Sequence, residues 1–206
     1  MASRETVKII RIRDPAIKSA LEVILYPCFW AMGFYKLGHF FYRKKMFFMA
    51  RLISQMGRQC TGIEIHPGAV IGKRLFIDHG MGVVIGETCE IGDDVIIYQG
   101  VTLGGTGKEK GKRHPTIGNN VLIGSGVKVL GPIRVEDDVR IGAGSVVLQD
   151  VPEGCTVVGV PGRIVSKKRR LGIDQMDQIR FPDPVTMEIC ALRVRVEKLE
   201  KLLKEI

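Results

Sequence analysis

The chain has 206 residues, room for one substantial domain and a smaller appendage, and a formal charge of +9. Lys and Arg are dispersed apart from two clusters, Arg43 to Lys45 and Lys167 to Arg170, so the charge suits anionic small molecules better than a nucleic-acid face. Five cysteines, Cys28, Cys60, Cys89, Cys155 and Cys190, show no CxxC spacing; an odd number without a signal peptide reads as reduced thiols in a cytoplasm and implies no metal site.

Residues 1 to about 60 read as helices. Asp14-Pro15 has the form of an N-cap followed by proline at the first helical position, and Pro27 should break or kink the apolar run that comes after. That run, Val23 to Tyr35, stops after thirteen residues, short of the roughly 20 that cross a bilayer, so no membrane is expected.

From Ile65 to Val147 an aliphatic residue recurs at every sixth position. Ile65, Ile71 and Ile77 share one phase, Ile85, Ile91, Ile97 and Leu103 another shifted by two residues, and the clearest run is Ile117, Ile123, Val129, Val135, Ile141 and Val147. Six residues match neither strand alternation nor the helical repeat, and period-six arrays are the mark of a parallel β-helix. Each hexad supplies a short strand and a corner, and three close a triangular turn around one shared apolar column. Glycine behind the aliphatic residue reads as a backbone angle that a Cβ disfavours, and Asp93-Asp94, Asn119-Asn120 and Asp137-Asp138 fall at corners. A mainly β fold follows, with the coil over residues 61–165. Its long break, Gly104 to Pro115, carries Arg113-His114, and a loop of that length on a regular solenoid is a place for function.

Residues 166–184 turn basic and then proline-rich, as a linker does. Over residues 185–206, Val185, Ile189, Leu192, Val196, Leu199, Leu203 and Ile206 are spaced alternately by 4 and 3, a heptad seam that favours a coiled coil between copies of the chain. The alternative is an amphipathic helix lying on its own β-helix.

An ordered set of motifs resembles the serine O-acetyltransferases, a family of hexapeptide-repeat acyltransferases. They are Gly62-Ile63-Glu64-Ile65-His66-Pro67-Gly68-Ala69, Phe76-Ile77-Asp78-His79-Gly80, Gly100-Val101-Thr102-Leu103-Gly104-Gly105-Thr106-Gly107, Lys112-Arg113-His114-Pro115, Gly142-Ala143-Gly144-Ser145-Val146-Val147 and Gly159-Val160-Pro161-Gly162. With Asp14-Pro15-Ala16 near the start, the resemblance spans about residues 8 to 165. It implies a left-handed β-helix, a homotrimer with active sites between protomers, and direct transfer of acetyl from acetyl-CoA to L-serine in cysteine biosynthesis.

Acetyl transfer to an alcohol needs a base near neutrality, and the chain holds four histidines: His39, His66, His79 and His114. By the resemblance His79 is the base, with Glu64 as its orienting carboxylate where many relatives carry aspartate. Asp14 and Asp78 match carboxylates that hold the serine amino group, Arg113 the group that pairs with its carboxylate, and His114 a contact to the reacting side chain. Gly105, Thr106, Ser125 and Ala143 match positions along the pantetheine arm of CoA. Asp14 also reads as a plain helix cap, Asp78 as a corner residue and Arg113 as a solvated charge; His66 reads as structural and His39 as a packed histidine. A sugar or xenobiotic acceptor on the same fold is the alternative acetyltransferase. A zinc hydratase using His66, His79 and His114 is an analogy of fold alone. The resemblance further implies feedback inhibition by L-cysteine and docking of the C-terminal Ile206 into O-acetylserine sulfhydrylase, and the short helical start favours a single trimer.

Overall fold

The computed structural model describes residues 4–13, 17–107, 110–167, 189–190 and 192–197. Asp14, the linker beyond residue 167, and Val185, Leu199, Leu203 and Ile206 of the heptad seam lie outside the described residues; residues 189–190 and 192–197 are helical.

Three helices open the chain: α1 (Arg4–Arg13), α2 (Pro27–Arg43) and α3 (Phe47–Thr61). A 3-10 turn, Ala20–Leu25, links the first two; the Leu21 N–H donates to the Ser19 hydroxyl at 3.3 Å. Pro27 does not kink a longer helix. It starts α2, where a missing N–H leaves no intrahelical bond unmade. α3 ends at Gly62, whose left-handed backbone, φ 71°, returns its N–H to the Arg58 carbonyl.

The strands follow in chain order: β1 (Glu64–Ile65), β2 (Val70–Ile71), β3 (Phe76–Ile77), β4 (Val84–Ile85), β5 (Glu90–Ile91), β6 (Ile96–Ile97), β7 (Thr102–Gly104), β8 (Thr116–Ile117), β9 (Leu122–Ile123), β10 (Lys128–Leu130), β11 (Arg134–Val135), β12 (Arg140–Ile141), β13 (Val146–Val147), β14 (Cys155–Val158) and β15 (Arg163–Lys167). Every third strand pairs in parallel. The first sheet is β1-β4-β7-β10-β13, the second β2-β5-β8-β11, and the third runs β3-β6-β9-β12-β14 and closes with antiparallel β15. Strands this short, in three sheets that the chain visits in turn, make a parallel β-helix of triangular section.

Register turns the six-residue period into three columns. Ile65, Ile85, Leu103, Val129 and Val147 stack in the first sheet; Ile71, Ile91, Ile117 and Val135 in the second; Ile77, Ile97, Ile123, Ile141 and Val157 in the third. All but Ile71 are buried in one continuous core, to which α2 adds Cys28, Ala31, Met32 and Tyr35 beneath the first coil. The α2–α3 hairpin is bonded to that coil: the Tyr35 hydroxyl donates to the Ala69 carbonyl at 2.9 Å and the Ser54 hydroxyl to the Ile65 carbonyl at 2.8 Å. The outward residue before each column position is apolar on three strands of the third sheet, Phe76, Ile96 and Leu122. There Ile9 and Ile10 of α1 cover it, with Val23, in a second cluster.

The corner between the second and third sheets is an Asx ladder. The Lys73 N–H donates to Asp93 Oδ1, the Asp93 N–H to Asn119 Oδ1 and the Asn119 N–H to Asp137 Oδ1, at 2.7, 2.9 and 2.6 Å. Asp94, Asn120 and Asp138 take the left-handed backbone, φ 60, 54 and 59°, as polar corner pairs should. The glycine behind the column has a different reason from the one expected. A Cβ on Gly118 would lie 2.4 Å from Asp137 Oδ1 and 2.8 Å from the Asp137 nitrogen, so close stacking of coils, rather than backbone angle, excludes a side chain there.

Candidate active site

Corner partners on successive coils are 20, 26 and 18 residues apart, as in Arg74–Asp94, Asp93–Asn119 and Asn119–Asp137. Eighteen is three hexads, so the first coil holds two extra residues and the second interval eight. Register places these insertions at Asp78–Val83, between β3 and β4, and at 105–115, between β7 and β8. Each carries a histidine.

At the first insertion the Asp78 N–H still joins the ladder, donating to the Ile97 carbonyl at 2.8 Å. His79 and Gly80 then both adopt left-handed backbone, φ 57 and 78°. A Cβ at Gly80 would lie 2.5 Å from Ile63 Cδ1, so only glycine allows this turn, and it carries the His79 side chain out to solvent. A non-glycine residue held at such an angle costs of order 1 kcal/mol, as at the corner residues Arg74, Asp94, Asn120 and Asp138. Asp78 is half-buried beside it. Among the described residues no hydrogen bond joins His79 to Glu64. The Glu64 carboxylate faces α3 instead, 3.3 Å from the Arg58 guanidinium and 3.7 Å from that of Arg51.

The second insertion lies on a different corner, between the first and second sheets, directly above Gly86-Glu87-Thr88 and His66. His114 is 9% exposed. Its ring lies over Gly86, where a Cβ would fall 2.0 Å from His114 Cδ2. Burial, then the neighbouring Arg113 charge, pushes its pKa below the ordinary 6.5. Arg113 forms an ion pair with Glu87, which also accepts a 3.0 Å hydrogen bond from the Tyr42 hydroxyl. The hydrogen bond from Arg113 is the main reason the Glu87 carboxyl titrates below its usual range. Lys112 closes the loop, donating to the Thr88 carbonyl at 2.8 Å and pairing with Glu90 at 3.0 Å. A cleft of about 440 Å3 opens at this corner, lined by Tyr42, Phe47, Arg51, His66, Pro67 and Glu87. His66 Nδ1 accepts the Gly68 N–H at 3.0 Å, and His39 Nδ1 lies 2.8 Å from the Pro67 carbonyl, so both rings have structural partners.

One chain therefore divides the expected site. Asp78 and His79 share the corner between the third and first sheets with Ser125 and Ala143, since the Gly100 N–H donates to Met81, the Gly126 N–H to Gln99 and the Gly144 N–H to Ser125 in one ladder. Arg113, His114, Gly105 and Thr106 belong to the other corner. His66 and His114 are likewise parted from His79, so the three histidines form no single cluster within the chain. Glu87, Thr88 and Tyr42 went unnoticed in the sequence. Aligning coils would have found Thr88, which stands one coil length, 26 residues, before His114.

The family model described as bacterial transferase hexapeptide (six repeats) matches residues 114–149. The serine acetyltransferase of Staphylococcus epidermidis is 57% identical over 197 residues, 95% of this chain and 92% of that protein. A solved serine acetyltransferase in complex with cysteine aligns at TM-score 0.82 and 41% identity, covering 85% of this chain and 69% of that one. Another, in complex with CoA, aligns at TM-score 0.72 and 39% identity over 78% of this chain and 66% of that one. With this identity along nearly its whole length, the chain belongs to the serine acetyltransferase family.

Proposed function

We infer that this protein transfers acetyl from acetyl-CoA to the hydroxyl of L-serine, giving O-acetyl-L-serine and CoA, in active sites that two neighbouring protomers complete. The observation that carries this reading is the division of Asp78–His79 and Arg113–His114 between two corners of one prism. A three-fold ring uses two different patches of each subunit, so one corner of each copy meets the other corner of the next. His79 takes the hydroxyl proton as the serine oxygen attacks the thioester carbonyl. The tetrahedral intermediate collapses, the C–S bond breaks, and the imidazolium returns the proton to the departing thiolate. The ammonium of serine lies by Asp78 and Asp14, its carboxylate on the Arg113 guanidinium, and its side chain by His114. Glu64 is the carboxylate that orients the His79 ring, which requires it to turn from Arg58 and Arg51 toward the imidazole in the assembled site. Gly105 and Thr106 of one protomer and Ser125 and Ala143 of the next line the pantetheine arm.

Domain limits follow the same reading: a helical base over residues 1–60, the catalytic coil over 61–165, a linker over 166–184 and a trimeric helix over 185–206. L-Cysteine, which differs from serine by one sulfur, occupies the serine subsite as feedback inhibitor, and Ile206 is offered to O-acetylserine sulfhydrylase. The enzyme is a single trimer in the cytoplasm; among the described residues no helix is long and apolar enough to cross a membrane.

Thiol release from acetyl-CoA with serine tests the reaction. Wild-type protein turns over, and His79→Ala lowers kcat by about 100-fold or more, the usual range for a lost general base, with the coil intact by circular dichroism. Turnover with a sugar or aromatic amine while serine stays inert would assign a different acceptor.

A further inference from the structure

The Thr88 hydroxyl sits at the centre of the second insertion. Its oxygen accepts the Arg113 N–H at 3.0 Å and the His114 N–H at 3.1 Å. A hydroxyl has two acceptor lone pairs and one hydrogen. With both lone pairs engaged, the hydrogen is left to donate, and His114 Nδ1 lies 2.9 Å away. The Thr88 N–H points at the same nitrogen from 3.2 Å. Two donors on Nδ1 leave it no room for a proton, so the neutral ring carries its hydrogen on Nε2. That nitrogen lies between two glycines: a Cβ on Gly86 would approach it to 2.2 Å and one on Gly105 to 3.4 Å.

We propose that Thr88 is the positioning residue that fixes His114 as the Nε2–H tautomer, so that His114 meets the acceptor substrate as a hydrogen-bond donor and leaves His79 as the base. The proposal rests on the placement of His114 in the serine site given above. Thr88 acts through His114 and through the Arg113 backbone, and it ties both to the coil beneath the loop. Gly86 belongs to the same device, since any side chain there would displace the ring.

The tautomer can be read without turnover, by long-range 1H–15N correlation on the trimer carrying 15N-labelled histidine. The expected His114 signal is a pyridine-type Nδ1 with a pyrrole-type Nε2; the reverse pattern overturns the proposal. Thr88→Val removes the three hydrogen bonds of the hydroxyl and leaves only the backbone N–H on Nδ1, so it should admit the Nδ1–H tautomer, raise the titration midpoint of His114 and lower kcat/KM for serine about tenfold or more. Thr88→Ser should restore all three. Unchanged tautomer and unchanged turnover in Thr88→Val contradict the positioning role. Full serine turnover by His114→Ala would instead overturn the placement of His114, and with it the donor function, while the correlation spectrum still reports the tautomer.

Discussion

His79 and His114 place one side-chain type in two different surroundings. His79 stands exposed on a left-handed turn. His114 is buried, with Nδ1 engaged by Thr88. Burial lowers the pKa of His114 and of His66, so each binds a proton less readily in the folded chain than in the unfolded one. Where the unfolded state binds more protons, stability rises with pH. The contribution is therefore whole above the ordinary imidazole value of 6.5 and is lost as pH falls from there toward the folded values. Urea unfolding at about pH 7.5 and about pH 5.5 should show a smaller acid loss in His114→Gln than in the wild type. Equal losses would mean that His114 titrates normally in the fold. The expectation for His79 comes from the resemblance of its Asp-His-Gly context to the family, and the structure adds its exposed place on the first insertion. The Glu87 and Thr88 roles were not legible in the sequence, because both depend on a partner 26 residues away that only coil stacking brings near.

At the level of elements, strands of two or three residues have almost no stability of their own. What holds them is repetition: each pairs with the equivalent strand of the next coil and adds one aliphatic side chain to a column. The period was therefore readable in sequence, and so were the Asx corners, since the physics that selects them is local. The glycines behind the columns were readable as necessary, but the reason for them was not, because it lies in the coil above. Gly118→Ala tests that reason. Its Cβ would collide with the Asp137 backbone and carboxylate, so the thermal midpoint should fall by an amount corresponding to roughly 1–3 kcal/mol. An unchanged midpoint would show that the stack has slack. Pro27 teaches a related lesson: a proline in an apolar run marked a helix start, because the 3-10 turn before it takes up the change of direction.

On the scale of the whole molecule, the two departures from the hexad rule lie on two corners of a triangular prism, and within one chain the groups they carry do not meet. Sequence could supply both halves of the proposed site, since each rides on its own insertion. It could not show their separation, which is a property of the closed coil. In the proposed ring of three chains the halves come together, and mixed trimers test this directly. One variant carries His79→Ala, the other Arg113→Ala with His114→Ala, and each alone should be nearly inactive. In a ring with sites between neighbours, a site works when the protomer giving His79 is of the second kind and its neighbour of the first. Random mixing at equal amounts makes that about one site in four. Co-refolded or co-expressed mixtures should therefore regain about a quarter of wild-type serine acetylation, in a species that sediments as a trimer. Mixed trimers as inactive as their parents would contradict a site shared between protomers.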